Sequence, residues 1–353
     1  MSSAQFQIPL NINFASIVFT GFRIPGRRFP SNGRNFSIQF DRNSWISFNS
    51  PFTIDQEWRK WLGEVISDRI EHGRGTLVLT SLEESSSDTE VLLNKRLELI
   101  LWGICIVIGI PEFELGDKVY GRLQQDTSVQ PNIKIAPGIP HLYQTVQEIS
   151  TLGARPIPPE ITIDELNQAV RFATCMETID NAIEHERRTS GISESRSITH
   201  LYTRPMGGFM AFRLGVPLSF APERLHQFAR TIEACLPATV RGRDDFASYL
   251  IKLLPIHPDN ERTLKEIYDL RSAQEHIRPF DRRALPNEPD PDLVARRRTR
   301  QSEALAREML KRFFSGPSFL SHFRDESTLG AFWTSGDAIQ AWGTPLFDLQ
   351  SIL

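Results

Sequence analysis

Apolar positions along this chain change their spacing near residue 150. Before it, the runs "FASIVFTGF", "NFSIQF" and "TLVLTSL" are rich in β-branched and aromatic residues and are bounded by Gly, Asn and Pro, the pattern of strands. Among them lies "TIDQEWRKWLGEVISDRIEHG", with apolar residues at Ile54, Trp58, Trp61, Leu62, Val65, Ile66 and Ile70. That spacing predicts one amphipathic helix, capped by Thr53 or Asp55 and stopped at Gly73. The polar stretch Glu83 to Asp88 leads into "LELILWGICIVIGIP", whose apolar run from Leu99 to Ile110 is shorter than the roughly 18 residues a membrane span needs. A buried core helix ending near Gly109 is expected there.

The stretch "STLGARPIPPEIT" carries Pro156, Pro158 and Pro159 and reads as a stiff connector. Beyond it the periodicity is helical: "TIDELNQAVRFATCMETIDNAIEHERR", "APERLHQFARTIEACLP", "RDDFASYLIKLLP", "ERTLKEIYDLRSAQEH" and "PDLVARRRTRQSEALAREMLKRFFSG". Stops at Pro237, Pro255, Pro279 and Gly316 punctuate these segments in the manner of antiparallel bundle helices. The expected fold class is an α+β N-terminal domain over residues 1–152 followed by an all-α helical bundle over residues 160–353.

Composition adds little to this picture. The 353 residues are 40% hydrophobic, enough for a sizeable core. A formal net charge of −3 gives no global electrostatic signature, so any nucleic-acid partner must be held by a local basic patch. Cys105, Cys175 and Cys235 are far apart and include no CxxC pair, which argues against a disulfide framework or zinc cluster and for a reducing, cytoplasmic compartment. The N-terminal "MSSAQFQIPLNINF" lacks the basic and apolar regions of a secretory signal. No membrane partner and no cofactor are expected. HxxxH, HxH and HExxH patterns do not occur, so metal chemistry has no sequence support.

Candidate chemistry concentrates in "IYDLRSAQEH", where Arg271 and His276 are separated by four residues. Leu264, Ile267, Tyr268, Leu270 and Ile277 can supply an apolar helix face. On an ideal helix Arg271 and His276 point roughly 140° apart, so one substrate meets both only where a cleft wraps the helix end. Pro279 places His276 in the last turn. A histidine can transfer a proton near neutrality, and an arginine fork suits phosphate oxygens. Together they suit phosphodiester chemistry, with His276 as general base or acid on the RNA 2′-hydroxyl or leaving oxygen and Arg271 stabilising phosphoryl charge. The alternative is structural: Arg271 pairs with Asp269 or Glu275, and His276 caps a helix end.

"IYDLRSAQEH" resembles the HEPN superfamily, whose ribonuclease members carry an Arg, four to six residues, then a His in a late helix of a four- to five-helix bundle. The similarity extends to "RLHQFARTIEACLP", which resembles the bundle helix bearing a Glu, here Glu233, and to the closing "SEALAREMLKRFFS". It covers residues 160 to 340. The resemblance implies a homodimer across the motif helix, in whose cleft two copies of Arg271 and His276 cleave RNA without metal and leave cyclic phosphate ends. It also implies a toxin or phage-defence effector. Glu233, Ser272 and Glu275 are the supporting residues; Ser272 stands where active members usually carry Asn, Asp or His. Other superfamily members only bind RNA or a protein, and a structural dimerisation protein is a third reading.

Between Arg278 and Arg312 there are ten Lys or Arg against six Asp or Glu, and "ARRRTR" groups Arg296, Arg297, Arg298 and Arg300. Such a strip beside an RNA cleft would hold the backbone through phosphate contacts. A solvated helix face or dimer-rim charge network is the competing reading. His185 lies in a polar helix end and reads as a surface residue.

Overall fold

The computed structural model describes, with side chains, residues 91–108, 161–189, 200–276, 285, 289–343 and 345–352, a few positions between 56 and 68, and the backbone of several further elements. The chain divides into two compact units, residues 1–173 and 174–353.

In the first unit, six extended segments are seen at backbone level: Phe14–Arg23 (β1), Phe36–Gln39 (β2), Ser44–Asn49 (β3), Thr76–Ser81 (β4), Glu114–Gln124 (β5) and Asn132–Ala136 (β6). Their ladder runs β2-β3-β4-β1-β5-β6 with antiparallel pairs. Val18 stands opposite Leu79 on one side and Tyr120 on the other. The expected α+β fold class is nevertheless corrected. The residues described in full are 77% helical and none lies in a strand, so the interpretable chain is mostly all-helical and no α+β N-terminal domain is shown. Alternating apolar residues favour a strand locally, whereas an α+β domain requires a sheet face buried against helices, a tertiary property that a backbone ladder does not establish.

The expected helix over residues 53–73 lies largely outside the described residues. Within it, Gly63 has φ 77° and donates its N–H to the Arg59 carbonyl at 2.9 Å. A left-handed glycine ends a helix, so the continuous helix read from the apolar spacing is interrupted there. Helix α1, Ser87–Ile108, has Leu93, Leu97, Ile100, Leu101, Trp102, Ile104 and Ile106 all buried: Val91, Lys95 and Glu98 leave one exposed face in its first half, and from Leu99 to Ile106 it is buried on every side. A Cβ on Gly103 would lie 2.7 Å from the Ala169 carbonyl oxygen, so this crossing depends on glycine. Ala169 belongs to α2, Ile163–Ser190. That helix starts at a capping box: Thr162 Oγ1 accepts from the Glu165 N–H at 3.2 Å, and Glu165 Oε2 accepts from the Thr162 N–H at 2.7 Å.

The second unit is built around a short amphipathic helix, α4, Ala221–Glu233, packed by α3 (Thr203–Gly215), α6 (Asn260–Glu275) and α7 (Pro291–Phe313). Helix α5, Arg243–Leu250, packs on α6. On α4, Leu225, Phe228, Ala229 and Ile232 are buried, the i, i+3, i+4, i+7 stripe of one core-facing side. The α3 backbone approaches closely because Gly208 faces it: an added Cβ would lie 2.9 Å from the Ala234 Cβ. Thr231 uses this proximity, donating its hydroxyl to the Gly208 carbonyl at 3.0 Å. Asp290 caps α7 by accepting from the Leu293 N–H at 3.1 Å, with Pro291 in the first turn. At its far end Phe313 meets Phe323 at 4.3 Å between ring centroids and Trp342 at 6.3 Å, closing the core with aromatic edges. No helix among the described residues is long and apolar enough to cross a membrane. Cys105, Cys175 and Cys235 are buried free thiols.

Candidate functional site

Two polar stripes face each other across the α4–α6 seam. On α4, His226, Arg230 and Glu233 recur at i, i+4 and i+7, on the edge flanking the buried stripe. On α6, Tyr268, Arg271 and Glu275 recur at i, i+3 and i+7. Their meeting point is Arg271. Its Nη2 donates to Glu233 Oε2 at 2.9 Å, its Nη1 donates to Glu275 Oε2, and its guanidinium lies 5.8 Å from the Tyr268 ring centroid. Arg271 is 17% exposed, Glu233 25% and Glu275 44%. The Glu275 link is an i, i+4 pair near solvent, of a kind worth about 0.3–0.5 kcal/mol, while the Glu233 link joins two helices and is better shielded. Of the two carboxylates, Glu233 therefore fixes the guanidinium and Glu275 is the exchangeable one.

Beside this pair opens a cavity of about 250 Å³ lined by Arg204, Glu233, Leu236, Pro237, Ala238, Val240, Tyr268 and Arg271. Arg204, among these lining residues, donates through Nε to Glu326 at 2.7 Å and through Nη1 to the Glu233 carbonyl at 3.2 Å. Burial pushes the Glu233 carboxyl above the ordinary glutamate value, against the opposing pull of Arg271 and with a smaller push from Glu275. Both arginines are matched by acids, so the cavity is charge-balanced rather than strongly positive.

His276 is the C-cap of α6, exposed, with its backbone N–H on the Ser272 carbonyl at 3.2 Å. It does not line the cavity. Both features of the structural alternative are thus present within one copy: Arg271 takes Glu275, and His276 ends the helix. Ser272 is half-buried. His185 is exposed.

The arginine run divides by helical phase. Arg296 and Arg300 are exposed and share one face of α7. Arg298 is buried, with Nε and Nη2 on Glu266 Oε2 at 2.7 and 2.6 Å and Nη1 on Gln301 Oε1 at 2.6 Å. Arg297 is half-buried and reaches Gln350 at 3.5 Å. The four side chains therefore do not form one phosphate-facing strip: two face solvent, one belongs to the core, and one leans on the C-terminal segment.

Sequence reasoning missed three members of this centre. Tyr268 counts as an apolar helix position and Arg204 lies far away in sequence. His226 had a readable signal, because seven residues before Glu233 corresponds to the same side of a helix within about 20°. Among the described residues, no group of three or more His, Cys, Asp or Glu side chains converges on a common point. No protein-family model, curated protein or solved structure matches the chain.

Proposed function

We propose that this chain is an endoribonuclease of HEPN type that needs no metal and acts through Arg271 and His276 in a cleft between two copies. The observation that carries this reading is the 2.9 Å link from Glu233 to Arg271. It joins the two segments on which the sequence resemblance rests, and it aims a guanidinium at the edge of an open cavity. In the reaction, His276 takes the proton of an RNA 2′-hydroxyl and that oxygen attacks the adjacent phosphorus. The bond from phosphorus to the 5′-oxygen breaks, the 5′-oxygen takes up a proton, and a 2′,3′-cyclic phosphate remains. Arg271 stabilises the charge on the phosphoryl oxygens, its Nη1 exchanging Glu275 for phosphate at small cost. A second copy is required because a single copy sets Arg271 and His276 on different sides of α6. Cytoplasmic action on RNA, and a role as toxin or phage-defence effector, belong to the same proposal.

One observation favours a second reading, a non-catalytic RNA- or protein-binding module: both Nη atoms of Arg271 are already occupied by carboxylates. An RNA cleavage assay with chelator present separates the two. Cyclic phosphate ends are expected from the native chain, and their loss in His276→Ala and in Arg271→Ala with the fold intact. Cleavage retained in either variant sinks the ribonuclease reading, and tight RNA binding without products establishes the other.

A further inference from the structure

The scheme above uses only the Nη1 edge of Arg271 and gives no role to the cavity beside it. That cavity has an apolar wall, with Leu236, Pro237 and Val240, opposed to a polar set of Arg204, Glu233, Tyr268 and Arg271. The wall is a fixed turn. Leu236 donates its N–H to the Glu233 carbonyl at 3.0 Å, Val240 its own to the Pro237 carbonyl at 3.0 Å, and Trp333 Nε1 donates to the Cys235 carbonyl at 2.9 Å. A wall already ordered costs a ligand little entropy. At about 250 Å³ the cavity falls just below the roughly 300–1,000 Å³ of pockets for drug-sized ligands, which leaves room for one planar ring system.

The ion pairs leave definite polar atoms unspent among the described residues. Glu233 gives Oε2 to Arg271, and no donor is bonded to its Oε1. Arg204 spends Nε on Glu326 and Nη1 on the Glu233 carbonyl, and its Nη2 is bonded to no acceptor. Both side chains are about one quarter exposed, Arg204 at 24% and Glu233 at 25%. Because each arginine is matched by a carboxylate, the cavity favours a neutral group carrying its own donors and acceptors over a phosphate.

We infer that this cavity reads a guanine base: Glu233 accepts from the guanine N1–H and N2–H, Arg204 Nη2 donates to O6, and Tyr268 supplies the aromatic surface. This rests on the proposed function for the source of the base, the nucleotide beside the bond that is cut. Guanine alone of the four bases sets two donors next to an acceptor along its pairing edge. Adenine N1 and cytosine N3 would turn a lone pair toward the carboxylate, and uracil offers one N–H between two carbonyl oxygens. Each wrong base leaves a shielded charge without its partner, which is how such sites discriminate. Unpaired bases of single-stranded RNA are bound in this way, by hydrogen bonds to the pairing edge and contact with an aromatic or guanidinium plane. Arg271 joins the two tasks, since Nη2 holds Glu233 for the base and Nη1 is the edge proposed for phosphate. Helices α3, α4 and α6 of a single copy supply the whole pocket, so each copy in a dimer carries its own.

The test measures the affinity of the full-length chain for a short 2′-O-methyl oligouridylate, which cannot be cut through its 2′-oxygen. Its central base is guanine, adenine, cytosine, uracil or hypoxanthine. Guanine is expected to bind about tenfold more tightly than adenine, cytosine or uracil. Hypoxanthine, which lacks the N2 amino group, should lose severalfold against guanine. Glu233→Gln and Arg204→Ala should each erase the guanine preference, and Arg204→Ala should leave the all-uracil affinity unchanged. Equal affinity for all the central bases overturns the inference, as does a guanine preference that survives both variants. The base comparison is made on the native chain, so it stands whether or not a variant folds. Guanosine monophosphate is the second probe: weaker binding than the guanine oligonucleotide assigns the base to RNA, and equal binding assigns it to a free guanine nucleotide. Guanine preference in a chain that never cuts unmodified RNA keeps the pocket and removes the ribonuclease reading. Cutting beside all four bases alike does the reverse.

Discussion

Replacing Arg298 by alanine is expected to destabilise the second unit by about 3 kcal/mol, although on sequence this residue belongs to a basic strip. Its side chain is 9% exposed and faces Glu266, 14% exposed, through two short contacts, with a third to Gln301. Removing one partner of a buried ion pair costs about 3–5 kcal/mol because the remaining charge stays desolvated. Here the lower end applies: Arg262 still reaches Glu266 Oε1 at 2.7 Å from the solvent side, and Gln301 keeps its bond to the Leu349 carbonyl at 2.9 Å. About 3 kcal/mol is roughly a hundredfold in the folding equilibrium. With a urea slope of about 2 kcal/mol per molar, the midpoint should fall by about 1.5 M at unchanged slope. Arg296→Ala and Arg300→Ala, on the exposed face of the same helix, should stay within about 0.5 kcal/mol; if that face holds RNA, each should flatten the salt dependence of binding by about one unit of slope. The reasoning is refuted if Arg298→Ala unfolds at the same urea concentration as Arg296→Ala, or if it weakens RNA binding while leaving stability untouched.

Two further outcomes follow from the packing and the charges. Glu233→Gln should remove a pH-dependent loss of stability: the carboxyl holds its proton to a higher pH folded than unfolded, so its contribution is fully present below the unfolded value and is lost as pH rises through the folded one. Urea midpoints measured across the acid range should show the native chain losing stability in that window and the glutamine variant not. Gly208→Ala should cost about 1–3 kcal/mol through overpacking against Ala234, whereas Gly207→Ala, where an added Cβ meets nothing within 4 Å, should be stabilising by a few tenths to about 1 kcal/mol; equal midpoints for the two would contradict the close α3–α4 crossing.

The helices of the second unit were legible because their signals are local. Apolar spacing at Leu225, Phe228, Ala229 and Ile232 defines α4, and Asp290 with Pro291 marks the start of α7, each within a few residues. The division of "ARRRTR" was legible in principle, since Arg298 lies about 200° around the helix from Arg296 while Arg300 lies within about 40° of it; counting charges along the chain ignored that phase. Gly63 shows the opposite case, a single residue interrupting a helix whose apolar spacing continues across it.

The sequence by itself determined where helices run in the bundle, which faces they bury, and that an arginine and a histidine stand at opposite sides of one helix end. These follow from bond geometry and from the period of apolar residues. Only the tertiary structure decided which charges meet: that Arg271 is held by Glu233 from 38 positions away, that Arg298 closes on Glu266 inside the bundle, and that His226 faces the same seam. Electrostatic partners act through space across a few ångströms, and residues at those distances are brought together by helix packing, which no local pattern records.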